Sequence, residues 1–275
     1  MKKIGLVLSG GGVRGSAHVS VIYNLQWLGI PVHIVSGTSI GAVIGAVYCA
    51  GISMDKLKNL MESLSLFRIF NPVFPAYGFS GFKKIRELFN KLEIPRDFKD
   101  LKIPLIVATT NLTERKTEYF DNGDLWDALC ASIAMPGFFY PLKIGNKVYV
   151  DGGISMNLPV SVIKNEDNFV IAVDVNFYGR KFSELENLYQ IVYESLTFMV
   201  AKNTIAERAK ADFIVDVPME GIGFLDFGKI KEVISIGYKR TYDKILELRK
   251  LLEAKGYVQD RGLGPLFVST FPEKL

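Results

Sequence analysis

Gly37-Thr38-Ser39-Ile40-Gly41 sits between a β-branched run, Val32-His33-Ile34-Val35, and an apolar stretch from Ile40 to Ala50 that stops at Gly51. The first run reads as a buried strand and the second as a helix with a glycine C-cap. At such a junction G-x-S-x-G is a nucleophile elbow: the serine occupies a sharp strand-to-helix turn, and Gly37 and Gly41 stand where a β-carbon would clash. The small residues Gly41, Ala42, Gly45 and Ala46 let the helix lie close to its strand. A serine hydroxyl needs a base, and in the usual hydrolase order Asp or Glu and then His follow the serine. Here the only two histidines, His18 and His33, both precede Ser39. On the elbow alone, the serine is inert, or its base is a carboxylate, or His18 is recruited from upstream.

Upstream, Lys3-Ile4-Gly5-Leu6-Val7-Leu8 reads as a strand, followed by Ser9-Gly10-Gly11-Gly12-Val13-Arg14-Gly15 and a helix through Leu28. Formally this is the dinucleotide fingerprint G-x-G-x-x-G. That fingerprint also wants an acidic residue about 20 residues on, at the end of the second strand, to hold a ribose. In this chain that strand ends in Ser36 and Gly37, and no Asp or Glu occurs before Asp55. A nucleotide-binding oxidoreductase is therefore disfavoured. Consecutive glycines at a helix N-terminus also converge backbone N–H groups on an anion. Beside a nucleophilic serine that anion is the oxyanion of a tetrahedral intermediate.

A third segment is Asp151-Gly152-Gly153, after the strand Lys147-Val148-Tyr149-Val150. Ligands of open α/β sheets bind outside the carboxyl ends of strands, which puts Asp151 on the edge that holds Ser39 and the glycine loop. An Asp-Gly hairpin turn accounts for the same residues.

In order and context the three segments resemble the patatin-like phospholipases. That family carries a G-G-G-x-R-G loop, a G-x-S-x-G elbow and a D-G-[GA] motif. The likeness extends through Gly15-Ser16-Ala17-His18-Val19, through Ala131-Ser132-Ile133-Ala134-Met135-Pro136-Gly137 and through Asp151 to Val160. It is strong over residues 3 to about 175 and weaker to about Leu252. The loop departs from plant members in having Ser9 where they have aspartate. The resemblance implies a three-layer α/β/α sandwich with a mostly parallel central sheet. It also implies a serine acyl hydrolase of lipid or other carboxylic esters, working through a Ser39–Asp151 dyad without histidine and without a cofactor. Ser39 attacks the carbonyl, and Asp151 is the base in acylation and the returning acid. N–H groups of Gly11, Gly12 and Arg14 form the oxyanion hole, with Gly10 and Gly15 shaping the loop; by the general logic of elbows the Ile40 N–H is a further donor. Gly152 and Gly153 complete the Asp151 turn, and Asn157 steadies it. A transacylase differs only in what attacks the acyl-enzyme second.

Composition agrees with one enzyme domain over 1–275. A chain of 275 residues is near the size at which one core stops growing. Its hydrophobic content of 49% suits a sheet buried on both faces, and a net charge of +4 is mild. No Lys/Arg cluster with interleaved aromatics marks a nucleic-acid footprint. Cys49 and Cys130 read as buried thiols, and no His/Cys/Asp/Glu spacing suggests a metal. The apolar run after Met1-Lys2-Lys3 stops at Leu8, too short for a signal peptide, and no stretch is long enough to span a bilayer. The expected location is the cytoplasm, with peripheral membrane contact.

Strands are expected near 3–8, 32–36, 104–110, 116–120, 147–151, 168–175 and 212–217. Helices are expected near 15–29, 40–50, 54–64, 82–92, 124–133, 184–202 and 229–254. Such alternation argues for a parallel-rich sheet flanked by helices. The aromatic, Pro- and Gly-broken segment 64–92 reads either as a lid or acyl-chain wall, with Lys83, Lys84 and Arg86 facing anionic headgroups, or as a satellite core with a solvated basic face. Phe224-Leu225-Asp226-Phe227 is a candidate part of the same rim. His18 and His33 read as structural, Asp174 as a strand-end cap, and 256–275 as an irregular tail.

Overall fold

The computed structural model describes residues 2–63, 81–176, 188–224 and 226–259. Residues 64–80 of the expected lid and 260–275 of the expected tail lie outside them, as do 184–187 at the start of the expected long helix. The architecture is an α/β/α arrangement around one sheet. Its strands are β1 (Lys3–Leu8), β2 (Ile34–Thr38), β3 (Leu105–Asn111), β4 (Lys116–Phe120), β5 (Leu142–Ile144), β6 (Lys147–Asp151), β7 (Asn168–Asp174) and β8 (Phe213–Asp216). The helices are α1 (Ala17–Trp27), α2 (Ile40–Cys49), α3 (Met54–Ser63), α4 (Gly81–Leu92), α5 (Leu125–Ser132), α6 (Leu188–Arg208) and α7 (Ile230–Ala254).

The order across the sheet is β5-β6-β3-β2-β1-β7-β8, with β4 also on β3. The pairs β3–β2, β2–β1, β1–β7 and β7–β8 are parallel. The β1 residues alternate between two cores, as the period of a strand requires. Ile4, Leu6 and Leu8 join the large core with α1, α2 and α7, while Val7 joins a smaller one with Leu158, Val160, Ile163, Val170 and Ala172.

The register around β3 has a consequence for the site. Val107 and Ala108 pair with β2 on one side and β4 on the other, whereas Thr109, Thr110 and Asn111 pair with β4 and β6. Since β4 keeps one edge throughout, β6 takes over the edge that β2 leaves. The strand β2 runs parallel to β3 and β6 antiparallel to it, so the two run head-on. Thr38 stands opposite Ala108 and Asp151 opposite Thr109, the next residue. The carboxyl ends of two strands therefore meet in mid-sheet. The sequence argument placed Asp151 and Ser39 together at the carboxyl ends of strands, and this convergence is what brings those ends together.

Candidate active site

Ser39 follows β2 with φ 53° and ψ −126°, a left-handed backbone rarely adopted by a residue with a side chain. Such a conformation costs about 1–3 kcal/mol and persists only where the surroundings over-determine it. Here they do. The Ser39 N–H donates to Ser132 Oγ at 2.8 Å, and that hydroxyl donates to the Ala108 carbonyl at 2.7 Å, bolting the elbow to β3. Gly41 lies so close to the end of β1 that a β-carbon would stand 2.4 Å from the Leu8 oxygen. The same close approach at Gly37 is to the Ala42 backbone. Ser132 carried no assigned role in the sequence; it pairs through space, and its neighbourhood in a motif was the one signal.

The Ser39 hydroxyl donates to Asp151 Oδ2 at 2.7 Å. The other oxygen, Oδ1, accepts the Gly153 N–H at 2.7 Å, and Gly152 packs on the Ala108 carbonyl with no room for a side chain. The Asp151 backbone is held too, its N–H by Ala134 O and its carbonyl by Thr110 Oγ1. Burial pushes the Asp151 carboxyl up from 3.8 to about 6, and the Ser39 and Gly153 hydrogen bonds pull the other way.

The glycine loop faces this pair. Gly12, Val13, Arg14, Gly15 and Ser16 form a 3-10 turn ahead of α1, with Gly15 packed against the Ile40 side chain. Gly10 donates its N–H to the Asn157 carbonyl at 3.1 Å. Among the described residues the N–H groups of Gly11 and Gly12 have no hydrogen-bond partner. Asn157 is thus joined to the glycine loop by its backbone, and its side-chain oxygen lies between Gly10 and Gly153. Its Nδ2 is buried with no partner among the described residues, as is Arg14 Nε. Both residues line this side of the cleft with Ser39, Asp151 and Asn176.

The opposite side is an apolar slot. From Ser39 and Asp151 it runs between α2, α3 and α4, past Val43, Leu57, Met61, Ile85, Leu88 and Phe89. Phe224 and Phe227 close its rim, as the sequence suggested. So α4, the described part of the 64–92 segment, contributes an apolar wall to the cleft and also to the main core. Arg86 departs from the expectation, being ion-paired with Asp127; Lys83 and Lys84 are exposed.

Neither histidine touches Ser39. His18 is fully buried with Nε2 on the Ser9 carbonyl at 2.8 Å, and burial pushes it down to about 4, so it stays neutral. His33 Nδ1 accepts the Ile4 N–H at 3.0 Å. Cys49 and Cys130 are free and buried. No His, Cys, Asp and Glu side chains gather as a metal would need, and no helix is long and apolar enough to cross a membrane, both among the described residues.

The model of the patatin-like phospholipases matches residues 6–163. The chain is 29% identical over 282 residues to the lysophospholipase nte1 of Neurospora crassa and 30% identical over 283 to lysophospholipase NTE1 of Chaetomium globosum. Each alignment covers 90% of this chain and 18% of the relative, so the chain spans under a fifth of their length. Among solved structures, VipD from Legionella pneumophila superposes with a TM-score of 0.51 at 15% identity, over 91% of this chain and 67% of that one. That likeness is one of fold. Fold and cleft agree with the family model. The chain belongs to the patatin-like phospholipase family.

Proposed function

We propose that the protein hydrolyses the carboxylic ester of a single-chain glycerophospholipid, with Ser39 as nucleophile and Asp151 as its only proton carrier. The observation that carries this is the 2.7 Å hydrogen bond between Ser39 Oγ and a buried carboxylate. A carboxylate with a pKa of about 6 is ionised at neutral pH yet basic enough to take a proton in the transition state. As Oγ attacks the ester carbon, its proton passes to Asp151 Oδ2. The carbonyl oxygen gains the negative charge, which the Gly11, Gly12, Arg14 and Ile40 N–H groups receive. Collapse breaks the ester C–O bond, and Asp151 returns the proton to the leaving alkoxide. Water then enters, gives a proton to Asp151 and attacks the acyl carbon; fatty acid leaves and Ser39 regains its proton.

The cleft supports this substrate class. One apolar slot accommodates one acyl chain, while Arg14 and Asn157 on the other side of Ser39 suit a headgroup. The lysophospholipase names of the two fungal relatives support a monoacyl substrate. We place the enzyme in the cytoplasm, since two unpaired buried thiols suit a reducing compartment. There it makes peripheral contact with the membrane: Phe198 and Met199 are exposed on α6, whose Val200 lines the cleft.

The test is fatty-acid release from palmitoyl lysophosphatidylcholine against the dipalmitoyl lipid in mixed micelles. Turnover of the monoacyl lipid should exceed that of the diacyl one by roughly tenfold or more, because the described residues line one apolar slot beside Ser39. Equal rates refute the monoacyl assignment, and no acid release from either refutes the hydrolase. In the same assay kcat/KM should fall about tenfold per pH unit below about pH 6 and level off above it, because the base must be ionised in the free enzyme. A profile flat from pH 5 to 7 would remove Asp151 as the base.

A further inference from the structure

In the glycine loop the peptide between Gly10 and Gly11 has a fixed orientation, and its cause lies beyond the three motifs. The strand β7 pairs with β1 so that Val173 stands opposite Leu8. One residue later β7 ends in Asp174, and two residues beyond that Asn176 reaches the loop that follows β1. Asn176 Nδ2 donates to the Gly10 carbonyl at 2.9 Å. The same side chain is held in place: its Nδ2 also donates to Asp174 Oδ1 at 3.2 Å, and its backbone N–H donates there at 3.0 Å. Asp174 is 1% exposed, and its Oδ2 accepts from Arg208 Nη1 at 2.7 Å. Arg208, at the end of α6, is fixed in turn on Asp216 at the end of β8.

This chain of contacts acts on one peptide plane. The chain has no cis peptide among the described residues, and in a trans peptide C=O and N–H point in opposite directions. Pinning the Gly10 carbonyl on Asn176 therefore aims the Gly11 N–H the other way, and that N–H is one of the two without a partner. Gly10 is tied at its other end as well, by its N–H on Asn157 O. Glycine on both sides makes this plane easy to rotate. Were it to flip, a carbonyl would face the charge that the N–H is there to receive.

We propose that Asn176, anchored by Asp174 and Arg208, is the positioning residue that holds the Gly10–Gly11 peptide with its N–H toward the ester oxyanion. The proposal rests on the reading of the glycine loop as the oxyanion hole. Asn176 touches no reacting atom, so its removal acts on the transition state through Gly11. The shape of the slot and the proton chemistry of Asp151 stay as they are.

The experiment compares wild type with Asn176→Ala and with Asn176→Asp, which keeps the side-chain shape but has no N–H for the Gly10 carbonyl. Two probes are used, a palmityl trifluoromethyl ketone, which adds Ser39 Oγ and carries an oxyanion, and palmityl alcohol, which fills the slot without one. Both variants should bind the ketone about 10- to 100-fold more weakly, somewhat less than the loss of a whole donor. Alcohol affinity should stay within about twofold, kcat should fall with KM nearly unchanged, and the acid limb of the pH profile should not move. Variants that prefer the ketone as strongly as wild type overturn the proposal while leaving the oxyanion hole in place. Equal weakening of both probes with a lowered Tm makes Asn176 a stability residue and overturns it too. A wild type that binds the ketone no better than the alcohol removes the oxyanion-hole reading itself.

Discussion

Ser39→Ala and Asp151→Asn are each expected to lower kcat by about ten-thousandfold, the scale of losses in serine hydrolase triads, while moving KM little. The two should be non-additive, because they act as one proton-transfer unit. A fluorophosphonate probe should label wild type at Ser39, leave Ser39→Ala unlabelled and react with Asp151→Asn far more slowly. Labelling that persists in Ser39→Ala would falsify the nucleophile assignment. His18→Ala should cost about tenfold or less by displacing the Ser9 carbonyl; a loss equal to that of Asp151→Asn would put a histidine back into the mechanism.

Asp151→Asn carries a second, independent readout. The carboxyl sits at about 6 in the folded protein against 3.8 for the ordinary group, so folding favours its protonated form. Below pH 4 both states hold the proton and the residue is neutral to stability. As pH rises through 4 to 6 the unfolded chain releases its proton first, and stability is lost up to the folded pKa. At about 1.4 kcal/mol per pH unit the cost at neutral pH is about 3 kcal/mol. The asparagine variant should therefore melt several degrees above wild type at pH 8, with the gain vanishing near pH 4. An inactive variant that is also more stable is hard to explain by damage to the fold; one that melts lower at pH 8 would mean that Asp151 is held charged by partners not seen here.

Much of this site was legible before any coordinates, and the reasons differ from residue to residue. The elbow was readable because its signals are local: a β-branched run, a serine between two glycines, then a small-residue helix. The missing downstream histidine left the base open, and Asp151 was assigned as base only through the resemblance to the patatin-like phospholipases. What the sequence could not carry is pairing at a distance. That β6 meets β2 head-on depends on β3 exchanging one neighbour for another between Ala108 and Thr109. The strand β5 escaped notice because Leu142–Ile144 is three residues long and only partly buried. Asp174 and Asp216 lie on different strands, and Arg208 bonds both only once α6, β7 and β8 are in place. The helix α6 also runs on to Arg208 rather than stopping near 202, its last turn anchored by Glu207 on Ser161 as well as by Arg208 on Asp174.

Gly12→Ala is expected to lower kcat by about 100- to 1,000-fold, the loss that follows removal of one oxyanion donor. Gly12 has φ +56°, where a β-carbon is strained, and that β-carbon would stand 2.5 Å from the Phe224 carbonyl. The same carbonyl accepts the Val13 N–H at 2.9 Å and so ties the loop to the rim of the slot. An alanine must push Phe224 away or rotate the Gly11–Gly12 segment, and either change moves an N–H relative to Ser39. The ester in its ground state bears no full charge on oxygen, so KM should rise by no more than a few-fold. Loss of the trifluoromethyl ketone's advantage over the alcohol should accompany the fall in kcat. Saturating NADH should leave the Tm of wild type and variant unchanged, since a ligand at a hundred times its Kd would add about 2.7 kcal/mol of stability. Full turnover in Gly12→Ala, or an NADH-induced rise in Tm that the substitution abolishes, would mean that the loop holds something other than an oxyanion.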